Sequence, residues 1–184
     1  NNLARAVAYE ELLNFGNHNN HEKFLEYYFD INTSPSYLEE IVALHQDINQ
    51  MDAGKKLPEI ILQNAELKLL SSNQMWEKPT VLYFWSQTQM NHFKSTIERI
   101  KSLEAQHPNY RFVGVSIQPL NPIALEVYKM MELDPKNQYG LVDFGTASKK
   151  WVITLLNKTI IINKKGQIQN GFANLMSEDF EEDL

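Results

Sequence analysis

Because this sequence contains no cysteine, its histidines are the first side chains to consider for catalysis or metal binding. The absence of cysteine excludes a disulfide framework, an iron-sulfur cluster, a thiolate zinc site and any reaction in which this chain supplies a thiol. His92 could act as a general base, with Gln89 or Asn91 as a polarising donor, since imidazole titrates near physiological pH. No serine, threonine or carboxylate stands at a spacing that would make it the partner of His92. We therefore predict that His92 is a hydrogen-bonded packing residue and that the chain carries no catalytic residue.

A metal site is the second kind of chemistry to weigh. His18 and His21 are three residues apart, and His45 offers a further imidazole. They fall in a separate, helical part of the sequence from His92, and no carboxylate or thiolate spacing completes a ligand set. We predict that these histidines are solvated loop residues and that the protein has no metal and no cofactor.

Composition limits the classes of function. The chain has 184 residues, 43% of them hydrophobic, which is enough for a buried core. A net charge of -6 opposes attraction to phosphate, so nucleic-acid binding is not expected. No apolar run approaches the roughly 20 residues that span a bilayer, so we predict no transmembrane segment in this piece. We expect the sequence to be part of a longer protein, and its oligomeric state is left open.

Residues 1–53 are predicted to form a helical N-terminal segment. Apolar residues recur there at spacings of three or four in three successive stretches. We expect the first helix to end near Gly16, a polar turn at residues 18–21, and a third helix that begins near Pro35. The helical pattern stops at a polar cluster, and the domain boundary is placed after residue 53.

Residues 54–184 are predicted to alternate between strands and helices. The apolar run at residues 80–85 is typical of a central strand covered on both faces, and residues 88–106 show the periodicity of a helix. Further predicted elements are strands at 60–62, 67–70, 110–117, 140–144, 159–163 and 167–172, and helices at 123–131, at 146–152 and from near 177. This alternation favours an α/β sandwich.

The run at residues 81–86, which leads into a helix, resembles the strand-to-helix turn of thioredoxin-like proteins. Residues 54–70 resemble the strand pair that precedes this turn in the TlpA-type branch, the membrane-anchored or periplasmic thiol-disulfide reductases of bacteria. Residues 112–116 are similar to that branch's second core strand, residues 119–136 to its central helical insert, and residues 151–166 to its closing segment. The resemblance implies a thioredoxin-like three-layer α/β/α sandwich with a central mixed sheet, preceded by the small helical segment.

The active-site positions depart from that family. A Cys-x-x-Cys motif follows the turn there, with its first cysteine at a helix N-terminus where the dipole lowers the thiol pKa. The matching positions here are Gln89, Met90, Asn91 and His92. Asn157 stands where the family has a cis-proline. Because a cis bond before a non-proline residue costs about 2.5 to 4 kcal/mol, we predict a trans bond between Leu156 and Asn157 and a reshaped loop.

The resemblance also implies a surface that could hold a polypeptide. In the family, the residue at the position of Trp85 borders the active-site surface. The predicted binding surface comprises Trp85, Gln89, His92 and Asn157. A groove can be retained here without the chemistry.

These observations lead to three hypotheses about function. The first is a redox-inactive domain that acts as a protein-binding, peptide-binding or structural module of a larger bacterial protein, which the resemblance places in the periplasm or cell envelope. The second is a role in a thiol-disulfide oxidoreductase that uses cysteines outside this segment or on a partner. The third is binding of a small ligand in the vacated cleft, with His92 as its polar anchor. The lost cysteines favour a domain that is not an enzyme.

Overall fold

The structure is a computed structural model that describes residues 2–13 and 21–184. The predicted end of the first helix near Gly16 and most of the predicted turn after it lie outside the described residues. The chain divides into two compact units, Asn1–Gln50 and Met51–Leu184. None of the described helices combines the length and the apolar character needed to cross a membrane.

Among its described residues, 2–13 and 21–50, the first unit contains three helices. They are α1 (Asn2–Leu13), α2 (His21–Ile31) and α3 (Pro35–Gln50). The apolar pattern predicted from the sequence faces inward only in part: Tyr28 of α2 and Ile41 and Ile48 of α3 are buried, whereas Leu3 and Val7 of α1 and Ile31 of α2 are exposed. Arg5 joins α1 to α3, because its guanidinium donates to both carboxylate oxygens of Glu40 at 2.6 and 2.8 Å.

The second unit is built on a mixed sheet of seven strands. They are β1 (Ile61–Asn64), β2 (Leu69–Ser71), β3 (Thr80–Trp85), β4 (Arg111–Ser116), β5 (Gln138–Leu141), β6 (Lys158–Ile162) and β7 (Ile168–Asn174). Their order across the sheet is β2-β1-β5-β4-β3-β6-β7. The central strands β3, β4 and β5 run parallel, while β1 is antiparallel to β2 and β5, and β6 is antiparallel to β3 and β7.

Helices cover both faces of this sheet. They are α4 (Met90–Gln106), α5 (Pro122–Met130) and α6 (Phe144–Lys150). Tyr83 and Trp85 of β3 belong to a core cluster that includes side chains of α4 and α5. Phe84 faces the other way and packs against Trp151, just after α6, with ring centroids 6.2 Å apart. Because alternate residues of a strand face opposite sides, β3 is buried on both, and the predicted three-layer α/β sandwich is confirmed.

Two predicted elements differ from the structure in type or position. The strand expected at residues 140–144 is β5, which ends at Leu141, and Phe144 already belongs to α6. Asp143 starts that helix as its N-cap, accepting the Thr146 N–H at 3.1 Å. The helix expected from near Ser177 is a 3-10 helix over Glu178–Asp183, capped by Ser177.

Candidate functional site

The first turn of α4 carries the residues that stand at the positions of the missing cysteine motif. Gln89 is the N-cap residue, and its side chain makes no capping hydrogen bond. Gln89 and Asn91 are exposed, whereas Met90 and His92 are half-buried. The start of α4 therefore presents amide and imidazole groups, with no thiol or carboxylate among them.

The loop between β3 and α4 is held by side-chain amides. The Gln87 amide donates to the Pro119 carbonyl at 2.8 Å and to the Ser116 hydroxyl at 3.2 Å. Gln118 accepts the Gln87 backbone N–H at 3.0 Å and donates to the Ser86 hydroxyl at 2.9 Å. These bonds tie the start of α4 to the connection that follows β4.

Asn157 lies in the loop that leads into β6. Its backbone carbonyl accepts the Leu175 N–H at 3.0 Å, and its side-chain amide donates to Asn174 Oδ1 at 3.3 Å. The carbonyl of Leu155 accepts the Lys158 N–H at 3.3 Å, which closes a turn. No cis peptide bond occurs in residues 2–13 or 21–184, so the trans bond predicted before Asn157 is confirmed.

The start of α4 and the loop before β6 meet in one surface groove of about 430 Å³. The groove is lined by Gln89, His92, Thr154, Leu155, Leu156, Asn157 and Met176. The side chains of Leu155 and Met176 remain 60% and 43% exposed, so the groove offers apolar contact area beside its polar groups. A neighbouring depression of about 410 Å³ is lined by residues 88–92. Three of the four residues predicted to form a binding surface, Gln89, His92 and Asn157, therefore lie together.

Trp85 is the fourth, and its predicted place on the surface is wrong. Its side chain has 0% exposure. The indole stacks on Phe93 of α4 with centroids 4.2 Å apart and meets Tyr128 of α5 edge-on at 5.6 Å. Two helices thus cover Trp85, and it contributes to the core instead of contacting a partner.

The surroundings of His92 leave it without a catalytic partner. Within the described part of the chain, its only hydrogen bond joins Nδ1 to the Thr96 hydroxyl at 3.5 Å, and no carboxylate lies within ion-pair distance. In a Ser-His-Asp triad, a carboxylate orients the imidazole and stabilises its charge. The described surroundings of His92 supply no such carboxylate.

The histidines of the metal hypothesis lie in the first unit or outside the description. His18 is outside the described residues. His21 is buried in α2 and His45 is half-buried in α3, with ring centroids 6.2 Å apart, so the prediction that they are solvated loop residues is wrong. Across residues 2–13 and 21–184, no three His, Asp or Glu side chains form a cluster suited to a metal ion.

Lys158, the first residue of β6, is a buried polar residue that the sequence analysis missed. It is only 4% exposed. Its Nζ donates to the carbonyls of Trp151 at 2.6 Å and Val152 at 2.9 Å, and lies 4.3 Å from the centre of the Phe172 ring. Burial lowers the pKa of Lys158 well below its usual range. The available signal was a lysine directly before an apolar strand, which resembles an ordinary solvated strand end.

No protein-family model and no curated protein matches this chain, whereas many solved structures share its fold. A candidate thiol-disulfide oxidoreductase from Bacteroides vulgatus superposes with a TM-score of 0.59 at 17% identity, over 73% of this chain and 99% of that chain. The C-terminal domain of a candidate thiol-disulfide oxidoreductase from Bacteroides thetaiotaomicron gives 0.55 at 19% identity, over 72% and 93%.

A third structure, a thiol-disulfide oxidoreductase from Bacteroides fragilis, has a TM-score of 0.52 at 21% identity, over 68% of this chain and 93% of its own. At such identities the likeness concerns the fold, which is thioredoxin-like. The present chain has that fold without any cysteine.

Proposed function

We propose that this chain is a redox-inactive thioredoxin-like domain that binds a protein or peptide in the groove, as a module of a larger bacterial envelope protein. The observation that supports the proposal most is that Gln89, His92 and Asn157 line one groove with the exposed side chains of Leu155 and Met176. A sequence without cysteine supplies no thiolate for disulfide exchange, which favours a role in binding over a role in redox chemistry. The envelope location rests on the resemblance to TlpA-type reductases alone.

The groove suits an extended peptide that carries an apolar side chain. In the described structure, the backbone N–H and C=O groups of Thr154 and Leu156 have no hydrogen-bond partner within the chain. Unpaired main-chain groups of this kind can add an extended strand from a partner. Leu155 and Met176 would contact an apolar side chain of that strand, and the exposed Gln89 amide would bond to its polar groups.

A peptide array tests the binding role. Peptides of about ten residues selected on the natural domain are measured by fluorescence anisotropy against Leu155→Asp and against Leu69→Asp, a matched change in β2 at the far edge of the sheet. Leu155→Asp should raise Kd at least about tenfold, which corresponds to about 1.4 kcal/mol, because a carboxylate would be desolvated in the groove. Leu69→Asp should leave Kd unchanged. Equal affinity for all three proteins would place binding elsewhere.

An insulin-reduction assay tests the redox-inactive part of the proposal. With dithiothreitol as reductant, precipitation of insulin should start no earlier with this domain than without it, because no residue can form the mixed disulfide. A thioredoxin run in parallel shows that the assay reports exchange. A heat-sensitive acceleration by the domain would contradict the proposal.

A further inference from the structure

We infer that Lys158 is the positioning residue of the groove, and that it fixes the loop at residues 153–157 where the resembled family uses a proline. The effect on binding rests on the proposed function, but the hold on the loop has a test of its own.

Lys158 joins the two ends of this loop. The loop begins after Trp151 and Val152, and it ends at Asn157, directly before Lys158. The bonds from Nζ to the carbonyls of Trp151 and Val152, at 2.6 and 2.9 Å, therefore close the loop at its base. The N–H groups of Val152 and Ile153 donate to the Lys149 and Ser148 carbonyls and close the end of α6, whereas the Trp151 and Val152 carbonyls lie beyond these bonds.

The backbone at the base of the loop is strained. Val152 has φ of +49°, in the left-handed region that a β-branched residue rarely adopts. Such a conformation persists only where the surrounding structure imposes it. In the described part of the chain, Lys158 Nζ is the only donor to the Trp151 and Val152 carbonyls, and both residues are buried. Loss of the amine would leave two buried acceptors unpaired, and the loop would rearrange to reach water.

The protonation state of Lys158 does not change this function. A deprotonated amine still has two N–H donors, one for each carbonyl. Burial lowers the pKa, whereas the face of the Phe172 ring favours the cation. Both bonds are available in either state, so the loop is held at all pH values at which the domain is folded.

A loop that is fixed before binding lowers the entropic cost of binding. Thr154, Leu155, Leu156 and Asn157 all line the groove, so the loop supplies more than half of its lining residues. Ordering a flexible loop on association would weaken affinity without the loss of any contact to the peptide. Lys158 contacts none of the groove, yet it should control the affinity of the groove.

Hydrogen-deuterium exchange measures the loop directly. We compare the natural domain with Lys158→Met, which keeps the length of the side chain but donates no hydrogen bond, and with Lys165→Met, which removes an exposed lysine of the turn before β7. The hydrogen-bonded amides of Val152, Ile153 and Lys158 should exchange about tenfold faster or more in Lys158→Met, with the amides of β3 unchanged. Lys165→Met should match the natural domain. Unchanged exchange in the loop, or equal acceleration in β3, would overturn the inference.

A second variant keeps the test decisive if Lys158→Met folds poorly. Glycine adopts positive φ without strain, so Val152→Gly added to Lys158→Met should restore part of the loop protection. Acceleration that is the same with and without Val152→Gly would contradict the role assigned to the strained turn.

Calorimetry with the selected peptide separates positioning from general stability. Lys158→Met should bind more weakly, with the loss in the entropy of binding and little change in its enthalpy, whereas Lys165→Met should bind normally. Unchanged affinity despite a loosened loop would refute the positioning role. If the natural domain binds no peptide but Lys158→Met still loosens the loop, the proposed function fails and the hold of Lys158 on the loop stands.

Discussion

At the scale of single residues, two buried polar groups respond to pH in opposite senses. Burial lowers the pKa of the Lys158 amine and raises the pKa of the Tyr83 hydroxyl, which bonds to the Gln138 amide at 3.1 Å. Both shifts favour the neutral side chain in the folded state. Lys158 therefore opposes folding below the ordinary lysine pKa near 10.5 and Tyr83 above the ordinary tyrosine pKa near 10, so the summed penalty of these two groups is smallest near pH 10.

The contribution of Lys158 can be isolated with Lys158→Met. Between the lowered folded pKa and the ordinary lysine value near 10.5, the unfolded chain binds more protons than the folded one. The free energy of unfolding of the natural domain should thus rise with pH relative to Lys158→Met, by up to about 1.4 kcal/mol per pH unit. Urea unfolding at pH 7, 8, 9 and 10 checks this. A difference between the two proteins that does not vary with pH would show that the amine keeps an ordinary pKa.

Trp85 should act on stability and leave binding unaffected. Trp85→Ala removes a fully buried indole and should cost about 3 to 5 kcal/mol of unfolding free energy. Trp85→Phe retains the stack on Phe93, and it deletes an indole N–H for which the described chain offers no hydrogen-bond acceptor. Trp85→Phe should therefore remain folded and bind the selected peptide within about twofold of the natural affinity, which is less than about 0.5 kcal/mol. A larger loss of affinity in a Trp85→Phe protein of unchanged stability would show that Trp85 contributes to peptide binding.

At the scale of elements, the sequence correctly predicts the helices and strands whose apolar pattern is contained in a short stretch of the chain. The bounds of β3 are predicted correctly because its continuous apolar run stands out from polar neighbours. The same run hides which face Trp85 occupies, since a strand buried on both faces has no polar alternation. The predicted strand around β5 was too long because Val142 and Phe144 are apolar, although the Asp143 cap had already started α6.

The parts of the groove were predictable to different degrees. The Gln89 and His92 positions follow from the strand-to-helix turn, which is fixed by local sequence. The shape of the loop before Asn157 depends on Lys158, whose partners Trp151 and Val152 lie seven and six residues earlier in the chain. Nothing in a lysine's sequence context indicates that its amine is buried against backbone carbonyls, so the packed structure was needed to find it.

The loop between β3 and α4 should depend on Gln118. Gln118→Leu keeps the approximate size of the side chain but removes its bonds to the Gln87 backbone and the Ser86 hydroxyl. We expect a loss of about 1 kcal/mol in unfolding free energy, because two hydrogen bonds are lost while Ser86 keeps its bonds to Thr88 and the Gln87 N–H can reach water. Exchange of the amides at residues 86–89 should rise, while the loop before β6 keeps its protection. Equal loosening of both loops would mean that the two sides of the groove are not held independently.

At the scale of the whole molecule, shape and reactivity are separable. The fold superposes on those of solved thiol-disulfide oxidoreductases, whereas the chain has no cysteine. If the turn between β3 and α4 has the geometry of the resembled family, thiols at positions 89 and 92 should lie close enough to form a disulfide. Gln89 is the N-cap residue of α4 and has a non-helical backbone, with φ of -121° and ψ of 60°. The direction of its side chain relative to His92 is therefore not set by helix geometry.

The double variant Gln89→Cys/His92→Cys tests whether sulfur is what the scaffold lacks. The start of α4 should lower the pKa of the thiol introduced by Gln89→Cys, since the helix dipole favours a thiolate there. We expect oxidised glutathione to form the disulfide, seen by alkylation and mass spectrometry, and insulin reduction to exceed that of the natural domain and of His92→Cys alone. Activity should stay below that of a thioredoxin run in parallel, because Asn157, in the loop held by Lys158, stands where the resembled family has a cis-proline. Two thiols that stay reduced under these conditions would show that the turn, and not only its cysteines, has diverged.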